Sequence, residues 1–216
     1  MSSSTPPARG QWRFIAAIVT LAAIWLAMLL GGGDAIDQAV YEALYAGRRP
    51  AILTIARGLT FFGEPTLLIG AGVVLALWLW HRGRGRIGLA LLLVTITGRL
   101  LGEAQKYWIA RARPDLEPHL VLVKTSSFPS GHAASSMIFF LSLALAFSAH
   151  SRRRFAAAGA AIMLSLMIGT SRVMLGVHWP SDVIGGWAFG LLWVLLTLPT
   201  AERLLRSDSE MEGKRL

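Results

Sequence analysis

Residues 106–114 read KYWIARARP, residues 129–132 read PSGH, and residues 171–182 read SRVMLGVHWPSD. Their placement decides the fold. Lys106 stands at the exit of an apolar run and His132 at the entrance of the next. Arg172 stands at the exit of the one after that, and Asp182 at the entrance of the last. A charged group at the end of an apolar run is costly in a bilayer unless it has a task. Runs that alternate in direction bring the exits of odd runs and the entrances of even runs to one face. The charged residues of all three blocks therefore gather on one side of a membrane.

Working outward, six runs approach the length of about 20 residues that crosses ~30 Å of hydrocarbon. They are Phe14–Leu30, Pro65–Trp80, Ile87–Ile109, Gly131–Ala149, Phe155–Gly176 and Asp182–Leu198. The second is short and is expected to start earlier, near Thr60. The first is followed by small residues (Gly31–Gly33), yet it is longer than the ~7–15-residue apolar region of a signal peptide. The chain has 216 residues, of which 54% are hydrophobic and 15% charged, a balance that fits a polytopic membrane protein. There is no cysteine, which excludes disulfides and thiolate chemistry. The net charge of +9 sits in short loops between apolar runs. That points to topology and anionic lipid, not to nucleic acid. The expected fold is all-α, a polytopic membrane helix bundle with six transmembrane helices.

The bundle is one domain. Residues 1–10 are Ser/Pro-rich and read as a disordered cytoplasmic N-terminus; 11–206 form the membrane domain; 207–216 read as a disordered cytoplasmic tail. Within 34–63, apolar residues recur at helical spacing at Val40, Leu44 and Tyr45, and again at Ile52, Ile55, Ala56 and Leu59. We read two short surface helices broken at Arg49-Pro50. They either cover a site entrance or form a plain connecting hairpin. Gly186 and Gly190, and the alanine-rich stretch Phe155–Ala161, read as close helix contacts. Trp12, Trp78, Trp80, Trp108 and Trp179 fall near span ends as interfacial anchors. Trp25, Trp187 and Trp193 lie deeper and read as packing residues.

Basic residues set the orientation. With the N-terminus inside, the cytoplasmic segments carry twelve of them: Arg9, Arg13, Arg82, Arg84, Arg86, Arg152, Arg153, Arg154, Arg203, Arg206, Lys214 and Arg215. The outer segments carry eight: Arg48, Arg49, Arg57, Lys106, Arg111, Arg113, Lys124 and Arg172. The bias places both termini inside and the three blocks on the outer face.

The residue types suit phosphoryl chemistry. Lys106, Arg113 and Arg172 supply positive charge for a phosphate's oxygens. Ser130 and Gly131 precede a span, where Ser130 can cap the helix and the first-turn N–H groups can bind an anion. His178 and Asp182 lie four apart, so a carboxylate can hold the imidazole in one tautomer. His132 is a second proton carrier. No spacing matches a zinc or magnesium site, and no nucleotide-binding glycine pattern is present.

Three blocks in this order, K-x6-RP, PSGH and SR-x5-H-x3-D, resemble the tripartite signature of the type 2 phosphatidic acid phosphatase family, the lipid phosphate phosphatases. The resemblance spans roughly Asp34–Thr197. It implies a membrane phosphatase domain over 11–206, acting on a lipid phosphate in the bilayer without cofactor or metal. It implies that His178 is the nucleophile, that Asp182 orients it, and that His132 protonates the leaving group and then activates water. Lys106, Arg113, Ser130, Gly131 and Arg172 would bind phosphate. Members of the family act on phosphatidic acid, phosphatidylglycerophosphate, undecaprenyl diphosphate and lipid A phosphates. The expected location is a bacterial inner membrane, with the site on the periplasmic side. Nothing in the sequence selects one lipid or an oligomeric state. A lipid phosphotransferase would use the same phosphohistidine, and a non-catalytic lipid-binding or transport protein would be expected to lose a histidine or the aspartate. The soluble vanadium haloperoxidases share the anion pocket but not six spans.

Other charged residues read more plainly. His81, His119 and His150 are expected at the interface or on backbone groups. Arg111 and Lys124 can hold a second phosphate or a headgroup, but read better as solvated loop charges. Arg99 and Glu103, four apart inside a span, read as a self-neutralising pair supporting Lys106.

Overall fold

Hydrophobic length and proline placement account for the helix order. The computed structural model describes residues 9–147 and 151–212. Eight helices run through them: α1 (Arg9–Leu30), α2 (Ala35–Leu44), α3 (Pro50–Phe62), α4 (Pro65–His81), α5 (Gly85–Ile109), α6 (Gly131–Phe147), α7 (Ser151–Met174) and α8 (Pro180–Glu212). No strand occurs among the described residues. The six expected spans correspond to α1, α4, α5, α6, α7 and α8. Of these, α1, α5, α7 and α8 are each long and apolar enough to cross a bilayer unaided. α4 and the described part of α6 are shorter, at 17 residues each, or about 25 Å at 1.5 Å per residue.

The earlier start expected for the second span, near Thr60, falls in α3, which together with α4 is long and apolar enough for one bent span. Thr60 belongs to α3, and the chain bends by 43° before α4. Pro65 explains the break, because it takes the first position of a new helix and has no N–H to continue the old one. Pro50 starts α3 in the same way. The two short helices in 34–63 are present, and Asp34 caps α2 by accepting the Asp37 N–H at 2.8 Å. α3 packs along α7 and buries Ala56, so it is part of the bundle and not only a surface hairpin.

The ends also differ from expectation. Residues 1–8 and 213–216 lie outside the described residues, but Arg9 and Gly10 already belong to α1. The tail expected to be disordered from 207 is helical to Glu212. After Pro199 the run TAERLLRSDSEME holds no glycine or proline, so nothing stops the helix before Gly213.

α6 is the central helix, packed against α5, α7 and α8, while α1 lies along α8. The pair Gly186 and Gly190 makes the α6–α8 contact. A Cβ at Gly186 would lie 2.8 Å from the Ser130 carbonyl oxygen, and one at Gly190 would lie 2.8 Å from Met137 Cβ. The alanine-rich start of α7 makes a helix contact on one face only. Phe155 is exposed and a Cβ at Gly159 would meet nothing within 4 Å, although Ala158 and Ala161 do pack inward. Trp25, Trp187 and Trp193 tie helices together through indole N–H bonds to Gln105, Ser165 and Val94. Trp179 departs from the anchor reading, since its ring packs tilted at 5.8 Å from that of Tyr41 and donates to the Ala112 carbonyl at 3.2 Å.

The outcome for function is an end-on cluster. The C-terminal ends of α5 and α7 meet the N-terminal ends of α6 and α8. The 110–130 loop and the α3–α4 corner close over them.

Candidate active site

α5 ends at Ala110, whose left-handed φ of 49° turns the chain out of the helix. The following residues up to Pro114 have no regular secondary structure, and burial alternates along them, with Ala112 exposed between the half-buried Arg111 and Arg113. Arg111 and Arg113 both point back into the cluster.

Lys106 is buried on α5. Its Nζ donates to the Ser126 carbonyl at 2.8 Å and reaches Thr125 Oγ1 at 3.4 Å. Arg113 Nε donates to the Thr125 carbonyl at 2.8 Å, and its Nη1 donates to the Val177 carbonyl. The same Nη1 lies 3.3 Å from His178 Nε2. A guanidinium has only donors, so Nε2 must accept, and the imidazole proton sits on Nδ1. Nδ1 faces Ser127 Oγ at 3.4 Å and Asp182 Oδ2 at 3.5 Å. His178 is 2% exposed, in the turn between α7 and α8. Burial pushes its pKa well below the ordinary value, and the charges of Arg113, Lys106 and Arg172 push the same way.

Asp182 is fully buried. Its Oδ2 accepts from Ser127 Oγ and from the Trp179 N–H at 2.9 Å. The second bond closes the start of α8, so the carboxylate serves the helix as well as the histidine. Its Oδ1 is held by Arg111 Nη1 at 2.9 Å. The expectation of a solvated Arg111 is therefore wrong. Its Nη1 also reaches Ser181 Oγ at 3.3 Å, its Nη2 donates to the Met28 and Leu29 carbonyls, and its guanidinium lies 4.4 Å over the Phe128 ring. Desolvation makes an unpaired carboxylate untenable here, and Arg111 is the nearest cation that reaches it. Lys124 stays on an exposed stretch of loop.

Arg172 Nη1 donates to Thr60 Oγ1 at 2.6 Å, which brings α3 to the cluster. Its Nε is buried without a partner. Ser130 is 0% exposed, and its Oγ likewise has no partner. The side-chain cap expected of Ser130 is not made. Its backbone is used instead, with the N–H donating to the Asp182 carbonyl at 2.9 Å and its own carbonyl accepting from Ala134 at 3.0 Å. The unspent Ser130 hydroxyl, the Arg172 Nε and the first-turn N–H groups of α6 form a set of donors suited to an oxyanion.

His132 Nε2 lies 3.2 Å from Glu64 Oε2, at the α3–α4 corner. Glu64, Ser127 and Arg111 were missed by sequence reasoning, as was Asp37. The last is a buried carboxylate of α2 that accepts from the Ser181 N–H at 2.8 Å and from its hydroxyl. For Arg111 the signal was present, as an arginine two residues before Arg113 in an extended stretch. For the others no local pattern existed. His119 bonds the Pro114 carbonyl at 2.7 Å, as expected of a backbone-bound histidine, and His150 lies outside the described residues. Arg99 and Glu103 pair at 2.7 Å. Among the described residues, no group of three or more carboxylate, histidine or cysteine side chains converges to hold a metal ion.

The arrangement sets a buried acceptor nitrogen beside three cations and unspent donors, with a second histidine nearby on a carboxylate. It can bind an oxyanion and attack its centre. Comparison with known proteins agrees. Residues 87–206 match the profile of the PAP2 superfamily. The chain is 34% identical over 177 residues to phosphatidylglycerophosphatase B of Bacillus subtilis, covering 79% of this chain and 85% of that protein. It is 42% identical over 107 residues to the lipid A 1-phosphatase of Rhizobium johnstonii, covering 45% of this chain but only 41% of that protein. Among solved structures, the transmembrane PAP2-type phosphatidylglycerolphosphate phosphatase of Bacillus subtilis superimposes with a TM-score of 0.79 at 31% identity. That match covers 87% of this chain and 96% of the other.

Proposed function

The chain belongs to the PAP2 superfamily, and we propose that it is a multi-pass bacterial membrane phosphatase that hydrolyses a lipid phosphate monoester or diphosphate through a phosphohistidine. Lys106, Arg113, Arg172, Ser130 and the N–H groups at Gly131 and after it seat the phosphoryl oxygens. The lone pair of His178 Nε2 attacks phosphorus, and the bond from phosphorus to the leaving oxygen breaks. His132 gives that oxygen a proton. His132 then takes a proton from water as the water oxygen attacks phosphorus. The P–N bond breaks, inorganic phosphate leaves, and His178 returns to its starting form. Asp182, steadied by Ser127 and Arg111, holds Nδ1–H and stabilises the charge that develops on the ring. The site faces the periplasm and both termini are cytoplasmic.

The observation that carries this reading is the His178 geometry. Nε2 is an acceptor 3.3 Å from Arg113, while Nδ1 faces Asp182 and Ser127. A buried imidazole kept neutral, with its free nitrogen among cations, is a nucleophile for an anion. The charge on the phosphoryl oxygens is met by the protein, so no metal takes part.

Phosphate release from purified protein, measured in EDTA, tests the proposal. The panel is phosphatidylglycerophosphate, undecaprenyl diphosphate, phosphatidic acid and a lipid A phosphate. The first two are the leading candidates. Release from at least one is expected. No release from any of them by folded protein would sink the reading.

A further inference from the structure

Arg99 and Lys106 lie seven residues apart on α5, almost two turns, and so share one face about 10 Å apart along the axis. Both reach the same point. A Cβ on Gly131, the first residue of α6, would lie 2.8 Å from Arg99 Nη1 and 3.8 Å from Lys106 Cε. A side chain here would displace the Arg99 guanidinium, while Lys106 would remain in ordinary contact. The location is unfavourable for a second cation on structural grounds alone. The N-terminal end of α6 is already the positive end of its dipole, and Lys106 is already there. Glu103 offsets Arg99 at 2.7 Å, but its Oε1 is buried without a hydrogen bond of good geometry, and both side chains are about one-third exposed. Beside them the buried Ser130 hydroxyl has no partner. A cation held against a positive helix end, offset by a single carboxylate, is arranged for an anion.

We propose that Arg99 binds the second, lipid-side phosphate of a diphosphate substrate, and so biases this enzyme toward lipid diphosphates over monoesters. The inference rests on the phosphohistidine reading. With His178 Nε2 in line on one side of the reacting phosphorus, the leaving oxygen lies on the other, at His132. In a diphosphate that oxygen belongs to the second phosphate. Arg99 abuts the residue before His132, on the side nearer the membrane core, from which a lipid tail must come. The bond that breaks is the P–O bond between the two phosphorus atoms. The lipid monophosphate leaves with its new charge facing Arg99.

The test is the ratio of kcat/KM for a polyprenyl diphosphate to that for phosphatidic acid, in the same detergent micelles. Arg99→Met should lower this ratio at least tenfold, mainly through KM for the diphosphate. Arg99→Lys should retain most of it. Glu103→Gln, which releases Arg99 from its counter-ion, should raise the ratio. A ratio within threefold of the unmodified protein in Arg99→Met overturns the inference. If Arg99→Met does not fold, Glu103→Gln decides alone, and an unchanged or lowered ratio overturns it. Failure of the unmodified protein to release phosphate from the polyprenyl diphosphate would overturn the inference alone, and failure on all four lipid classes would overturn the phosphatase reading.

Discussion

The carboxylate of Asp182 accepts from Arg111, Ser127 and the Trp179 N–H, and lies 3.5 Å from His178 Nδ1. Its hold on His178 depends on the others keeping it still. Arg111→Ala leaves the buried carboxylate with one oxygen unpaired, and it also frees the end of α1 at Met28 and Leu29. Misplacing a catalytic group by about 1 Å can cost ~10²-fold. Arg111→Ala is therefore expected to lower kcat by roughly 10–10²-fold with little change in KM, as steady-state phosphate release will show. A proportional rise in KM alone would mean that Arg111 acts on binding. A second expectation concerns pH. Burial and neighbouring cations push the His178 pKa down, which favours the neutral ring. Activity attributable to His178 is thus retained as pH falls through the ordinary histidine value and is lost only well below it. A kcat/KM profile whose acid limb fell with a midpoint of ~6.5 or above would contradict this. At this scale the sequence was informative about the residues of the three blocks and not about their supports. His178 and Asp182 are four apart, so their meeting is local: the turn before α8 folds back over the helix's first turn, where Asp182 stands. Arg111 and Asp182, or Asp37 and Ser181, meet only through tertiary packing across 71 and 144 residues.

Elements place these residues, and the close approach of α8 to α6 matters most. It rests on Gly186 and Gly190, where a Cβ would run into Ser130, Ala133, Ala134 and Met137. Gly186→Val should push α8 away from the Ser130 carbonyl and pull Asp182 from its donors. Overpacking of this kind typically costs 1–3 kcal/mol, so thermal stability in detergent and turnover should fall together. Gly159→Ala is the control, since nothing lies within 4 Å of its Cβ and alanine favours helix by ~1 kcal/mol. It should leave turnover unchanged and stability equal or higher. Equal losses for both variants would contradict the packing account. The helices themselves were legible from hydrophobic length, and the GxxxG spacing from small residues. The bend between α3 and α4 was misread because Thr60 continues an apolar run, while the decisive feature was the single Pro65. The alanine-rich start of α7 shows the converse. Ala158 packs against α6, while Phe155 and Gly159 on the other face meet no helix, so small residues make close contact only on the face that a partner covers.

On the scale of the whole molecule, alternation of the spans gathers every site residue at one end. The twelve-to-eight excess of basic residues on the other end sets the proposed direction. A reporter fused after Leu216 should behave as cytoplasmic; alkaline phosphatase activity from that fusion would reverse the topology. All-helical architecture and one-sided chemistry were both legible from the order of charges and apolar runs. The covering of the site by α3, through Thr60 and Glu64, was not, because it depends on how the α3–α4 corner folds back onto α6 and α7. The central claim is that the phosphoryl group passes through His178. It is tested most directly by rapid quenching at alkaline pH after mixing the protein with a ³²P-labelled lipid substrate, followed by mapping of the labelled residue. The account predicts an acid-labile, alkali-stable label on His178, absent from His178→Ala and longer-lived in His132→Ala. Label on another residue, or undiminished phosphate release by His178→Ala, would contradict it.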